Sequence, residues 1–220
     1  MQVIYSQKEL PKNILKDIQA TCKEYWAKYG EDNWYESIML NHKDFKKGLR
    51  GGNEKVYVEL FDFLNHWSCH ISKDRKERFR NKIPPIIKSM DSAKLPGSLE
   101  AVQIKNLPEI SGFFEGLKNI KHIGATISSK ILSLYRPELF MIWDKAICEF
   151  YGFANNGVGY ARFMLLMRDF AIELRRRHGN KKQSLEDFLS AGERVNWIPP
   201  IAKYLDEYNW ITITKGVNSR

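Results

Sequence analysis

Apolar residues recur at helical spacing along most of the chain. After Leu10-Pro11-Lys12, the positions Ile14, Ile18, Cys22 and Tyr25 share one face, and the stretch ends near Gly30. The turn signal Gly51-Gly52-Asn53 precedes Val56, Leu60, Phe63, Leu64 and Trp67, which predict a second helix. Phe163, Leu166, Met167, Phe170, Ala171 and Leu174 form another stripe, stopped at Gly179. Pro96-Gly97-Ser98 marks a loop, and Pro199-Pro200 is placed to open a last helix through Ile201, Tyr204 and Leu205. Only Trp210-Ile211-Thr212-Ile213-Thr214 is β-prone, and it is too short to define a sheet. There is no repeat of 20–50 residues and no linker long enough to separate domains. The pattern predicts one all-α unit over residues 1–220, with two helical lobes flanking a cleft.

Composition narrows the class of protein. Hydrophobic residues at 43% and aromatics at 13% exclude wholesale disorder. No run approaches 18 uncharged apolar residues, so no membrane partner is expected. Met1-Gln2-Val3-Ile4-Tyr5-Ser6-Gln7-Lys8 has no signal-peptide pattern, which points to a cytoplasmic protein. Cys22, Cys69 and Cys148 lie far apart and suggest free thiols rather than a disulfide framework. With five dispersed histidines they offer no metal site.

The net charge of +9 suggests a polyanionic partner. Two basic runs contribute to it: residues 73–82, followed by Pro84-Pro85, and Arg175-Arg176-Arg177 with Lys181-Lys182. Each run is either a solvated helix face or part of a phosphate-tracking surface, and the second also complements the negative end of a helix.

The segment Leu117–Leu132 carries the most information. A helix is expected to end near Ile120, turn tightly around Gly124, and restart at Ala125 or Thr126. Ile123, Ile127, Ile131 and Leu134 then make one buried stripe. The start of the second helix directs free amides outward beside small residues, an arrangement that suits a phosphate. Arg136-Pro137 stops that helix. The apolar run from Leu139 to Ile147 follows, broken by the acid Asp144, with Lys145 next to it. Asp144 is either the N-cap of the next helix or a carboxylate at the edge of an apolar pocket.

At Ile120-Lys121-His122-Ile123-Gly124, the helix after it and Asp144, the chain resembles the helix-hairpin-helix superfamily of DNA glycosylases. That group includes endonuclease III and the 8-oxoguanine and 3-methyladenine glycosylases. The hairpin glycine and the acid are 20 residues apart, 144 − 124, as in the family, and the motif match covers residues 107–152. The resemblance implies a helix-hairpin-helix glycosylase-like fold, a catalytic Asp144, and double-stranded DNA with a modified or damaged base as partner. It implies that Lys121, His122, Gly124, Thr126, Ser129 and Lys130 contact DNA. An ionised carboxylate there stabilises the oxocarbenium-like sugar and orients water.

Two departures matter. The family's Pro and first hairpin Gly are replaced by Lys121 and His122, which puts the family's hairpin-bound monovalent cation in doubt and offers positive charge in its place. Strand-cleaving members carry a Schiff-base Lys where this chain has Thr126, so a monofunctional, water-using enzyme is expected; separately, a monomer is expected. Lys130, one turn on, is the only amine placed for a lyase alternative.

Trp143, Trp67 and His70 are the expected pocket or wedge residues for a flipped base. Asn41, His42 and Arg50, in a loop-like segment, are placed to fill the gap it leaves. The function expected is base excision in DNA repair or anti-phage defence. A non-catalytic hairpin DNA binder is the alternative that needs no acid at position 144.

Overall fold

The computed structural model describes residues 11–29, 33–179, 182–190 and 197–216. Leu10, Gly30 and Lys181 lie outside them, as does the stretch Met1–Lys8. Among the described residues there are eleven α-helices and no strand. They are α1 (Ile14–Tyr29), α2 (Asn33–Leu40), α3 (His42–Gly51), α4 (Glu54–His66), α5 (Lys76–Ser92), α6 (Leu107–Lys118), α7 (Ala125–Tyr135), α8 (Lys145–Tyr151), α9 (Gly157–His178), α10 (Leu185–Ser190) and α11 (Ile201–Asn209). A π-helical segment, Trp210–Lys215, continues α11.

The boundaries follow local chemistry. Asn53 caps α4 by accepting the Lys55 and Val56 amides. Gly52 (φ 72°) and Gly152 (φ 70°) close α3 and α8 in the left-handed conformation. Arg136 ends α7 before Pro137, and Pro200 opens α11.

Three sequence expectations change. The segment containing Asn41, His42 and Arg50 is helical, because Phe45 and Leu49 sit one turn apart and are both buried. Its polar residues are engaged locally. The Asn41 amide donates to the Ser37 carbonyl, His42 Nε2 lies 2.9 Å from the Leu134 carbonyl, and Arg50 pairs with Asp91 at 3.5 Å. The β-prone tail is a π-helix, with the Thr212 hydroxyl donating to the Tyr208 carbonyl at 2.6 Å. Tertiary packing overrides strand propensity there. The arginines ending α9 are tied internally: Arg175 to Glu100 and Glu186, and Arg176 and Arg177 to Glu173. Those two guanidiniums hold the Glu173 carboxyl down at about 2.

Helices α3, α4 and α5 pack on one another, α6 packs along α9 and α7, and α1 packs against α10 and α11. The α6–α9 approach is close because Gly157 has no side chain. A Cβ there would fall 2.6 Å from the Ser111 carbonyl, and the Gly157 amide donates to Glu115. Phe114 stacks on Tyr160 at 4.4 Å, and Trp143 packs edge-on to Phe163 at 5.0 Å. Burial of such rings supplies on the order of 2 kcal/mol each.

Candidate active site

The hairpin joins α6 to α7. Ile120–Ile123 forms a four-residue turn closed by the Ile123 amide on the Ile120 carbonyl at 2.8 Å. The left-handed residue in this turn is His122, at φ 76°. Gly124 is extended (φ −89°, ψ 178°) and occupies the N-cap position of α7. The tight backbone therefore sits two residues earlier than the sequence suggested, at the position where the family has its first glycine. A Cβ on Gly124 would meet nothing within 4 Å. Neither backbone strain nor internal packing requires glycine there, and the open space lies beside the outward-facing first amides of α7.

Lys121, His122 and Gly124 are exposed. Partial desolvation, followed by the charges of Arg75, Lys121 and Arg78, holds the His122 imidazole below its ordinary range. Those causes place the hairpin turn within the field of the first basic run, making one cationic patch.

Ser129 links α7 to the acid. Its hydroxyl accepts the Trp143 amide at 2.9 Å, and it lies 3.1 Å from the Trp143 carbonyl. Ser129 is fully buried, so its task is to pin the strand-like run before α8 rather than to touch DNA. Trp143 is also fully buried, with its indole N–H donated to Asn155 at 3.3 Å. It belongs to the core and not to a base pocket. The hydrophobic run around it packs on all sides, which accounts for both corrections.

Asp144 caps α8 and also opens into a cleft, whose lining is charged and aromatic rather than apolar. Its Oδ1 accepts the Ile147 amide at 2.8 Å, capping α8, and its Oδ2 accepts the Thr214 hydroxyl at 2.8 Å. The half-buried carboxylate lines a cleft of about 520 Å³. Such a volume is in the range of small-molecule sites.

Aromatic walls are supplied by Tyr25, Trp67 and Trp210, and positive charge by Lys28, Lys130 and Lys215. Trp67 is braced by stacking on Tyr35 (5.8 Å, 9°) and packing on Phe63 at 4.4 Å. It is followed by two left-handed residues, Ser68 (φ 58°) and His70 (φ 47°). His70 is exposed and is not part of the cleft lining; His66 is. Thr126 and Lys130 both line the cleft from α7. The Lys130 ammonium donates to the Trp67 carbonyl at 2.8 Å and to Cys69 Sγ at 3.4 Å, and it lies 5.3 Å from the Trp67 ring centre. It is 8% exposed, so it faces the cleft rather than a surface phosphate.

Sequence reasoning placed α11 but missed its contribution to the cleft. Asp206 lines the cleft, and Lys203 and Glu207 are buried behind it. Lys203 Nζ lies 3.3 Å from Asp206 Oδ2 and 3.7 Å from Glu207 Oε1. The rings of Tyr25, Tyr35 and Trp67 surround that ammonium at 5.3, 4.9 and 4.8 Å. Glu207 also accepts the Trp26 indole N–H at 3.0 Å. Burial raises the Asp206 carboxyl to about 6, against the lowering effect of Lys203. The only sequence signal was polar residues on an otherwise buried helix after Pro199-Pro200.

Among the described residues no group of three or more His, Cys, Asp or Glu could hold a metal ion, and the three cysteines are free thiols. No described helix is long and apolar enough to cross a membrane. No protein-family model, curated protein or solved structure matches the chain.

Proposed function

We propose that this protein is a DNA glycosylase that hydrolyses the N-glycosidic bond of a damaged or modified base. The observation that carries the reading is Asp144: a carboxylate at the head of α8, opening into an aromatic-walled cleft beside the hairpin helix. A target nucleotide leaves the stack and enters that cleft, because the duplex otherwise hides the glycosidic bond. Flat walls of Tyr25, Trp67 and Trp210 suit a nucleobase. The hairpin turn, with Lys121, Arg75 and Arg78 nearby, supplies positive charge for the backbone.

Asp144 accepts two hydrogen bonds, one on each carboxylate oxygen. Its carboxylate stabilises the positive charge that develops at C1′ as the base departs, and it takes a proton from the attacking water. The hydroxyl of Thr214 holds one oxygen and the Ile147 amide the other, so the carboxylate is preset and no reorganisation is needed. With Thr126 in place of the family's lysine, hydrolysis without strand cleavage is the main reading.

Lys130 supports a second one, a bifunctional glycosylase/lyase, because its amine lines the same cleft as Asp144. A purely structural hairpin DNA binder would give no reason for an acid in such a cleft.

The test is incubation with duplexes carrying alkylated, oxidised and otherwise modified bases, followed by alkali to reveal abasic sites. Strand breaks only after alkali support the monofunctional enzyme. Borohydride trapping that is lost in Lys130→Ala supports the lyase. Duplex binding without excision across the panel refutes both.

A further inference from the structure

Two carboxylates, not one, face the cleft. Asp144 comes from the head of α8 and Asp206 from α11. Their environments differ. Asp144 is half-buried and held by two donors. Asp206 is 6% exposed and sits in a cluster of one cation and two acids, with Lys203 shared between it and Glu207. Lys203 and Glu207 are themselves 4% and 0% exposed. Three ionised groups leave a net negative charge in a dry cluster, which disposes one acid to take up a proton as pH falls. Glu207 already accepts the Trp26 indole and points away from the cleft lining, whereas Asp206 lines it.

Resting on the glycosylase reading above, we propose that Asp206 is the acid of the reaction, protonating the departing base, and that the substrates are neutral modified bases. As the C1′–N bond breaks, its electron pair goes to the base, and the Asp206 carboxyl proton is transferred to a ring nitrogen or oxygen of that base. Water adds to C1′, and Asp144 takes the proton that the water releases. The products are the free base and the abasic sugar. Asp206 is left ionised and Asp144 protonated, and exchange with solvent restores both. This division of labour is the usual one for paired acids whose surroundings separate their titration.

A base carrying a fixed positive charge, such as 7-methylguanine, leaves without acid assistance. A neutral base such as 8-oxoguanine, hypoxanthine or 5-hydroxymethyluracil depends on it. Burial raises the Asp206 carboxyl to about 6, so the fraction of molecules carrying the donor proton grows as pH falls toward that value.

The charged and titratable groups around it are Lys203 and Glu207 on its own helix, Asp144 at the head of α8, Lys130 from α7, His66 from α4 and Lys215 from the π-helical segment. Tyr25 and Lys28 line the cleft from α1, and the Tyr35 and Tyr160 hydroxyls lie within its field from α2 and α9. Loss of the Asp206 proton sets the alkaline side of the pH dependence, so the rate on neutral bases falls as pH rises.

The experiment measures single-turnover excision by wild type and Asp206→Asn on duplexes containing each of those four bases, with folding checked by thermal melting. The expected result is a loss of about 10²–10⁴-fold for Asp206→Asn on neutral bases. Any 7-methylguanine excision should change by less than about threefold. Wild type should also lose rate on neutral bases as pH rises above the Asp206 range. Excision of neutral bases by Asp206→Asn at the wild-type rate overturns this proposal while leaving the glycosylase reading intact. So does wild-type excision confined to 7-methylguanine. If the variant fails to fold, the wild-type profile decides: a rate that does not fall on the alkaline side overturns the proposal. No excision by wild type on any duplex overturns the glycosylase reading itself.

Discussion

Asp144→Asn separates the chemical role of this residue from its structural one. Asparagine caps helices about as well as aspartate, so the bond from the Ile147 amide survives the change. The Thr214 hydroxyl can donate to the amide oxygen or accept from the amide nitrogen, so that contact is also retained in some form. What disappears is a full negative charge at the start of α8, worth about 0.3–1 kcal/mol to the helix. In a chain of this size that corresponds to a melting shift of roughly 1–4 °C. The catalytic loss is larger. A carboxylate about 4 Å from a developing sugar cation, at an effective dielectric near 20, contributes about 4 kcal/mol. That is roughly a thousandfold in rate. The assay pairs single-turnover excision under saturating enzyme with thermal melting and duplex affinity of the same preparation. Rate should fall by about three orders of magnitude, melting should barely move, and affinity should hold. A variant with near wild-type excision, or one that loses excision only in step with folding, would refute the reasoning.

The remaining predictions concern the hairpin and its supports. Replacing Lys121, Arg75 or Arg78 with Ala should weaken duplex binding uniformly across sequences and reduce the salt slope by about one phosphate contact each, read by titration at several salt concentrations. Replacing Arg176 should leave the slope unchanged, because that guanidinium is tied to Glu173. His122→Gly should relieve left-handed strain at φ 76°, partly offset by the greater freedom of glycine when unfolded. The net effect in denaturant titration is expected to be a gain of up to about 1 kcal/mol. Because partial desolvation, and then the neighbouring cations, depress the His122 imidazole, it adds charge only at pH below its ordinary range. Duplex affinity at fixed salt should therefore rise with acidification below that range in wild type more than in His122→Gln. Ser129→Ala leaves the buried Trp143 amide without its acceptor and should cost about 1–3 kcal/mol in stability, with a further fall in excision rate as Asp144 loses its anchor.

The helices and the hairpin were legible because their signals are local. The stripe from Ile123 to Leu134 needs only its own periodicity, and Asp144 stood out as a single acid in an apolar run. What surrounds Asp144 was not legible, because it comes from distant parts of the chain. Thr214 is 70 residues away and reaches the carboxylate through a π-helical turn that no periodicity announces. Lys203, Asp206 and Glu207 follow ordinary (i, i+3) and (i, i+4) spacing and look like a solvated face. Their burial is set by α1 and by the rings of Tyr35 and Trp67. Trp143 and Ser129 were misplaced for the opposite reason: Trp143 adjoins the acid and Ser129 lies on the hairpin's second helix, which suggested contact with a flipped base and with DNA, yet both are fully buried in the core. The loop assigned before Val56 failed because a polar stretch conceals two apolar residues one turn apart, Phe45 and Leu49.

The Ser129 hydroxyl has a mechanical consequence. It lies just over one turn into the helix whose first amides face outward at Gly124, and it fastens the residue immediately before Asp144. The hairpin turn and the carboxylate are thus coupled through one short rod, α7, and the buried hydroxyl it carries. For the glycosylase proposed above, such a rod would act as a ruler, a phosphate at the hairpin fixing which nucleotide along the strand meets the acid. Search would then be a matter of sliding that fixed offset along the duplex, without reading the sequence on either side.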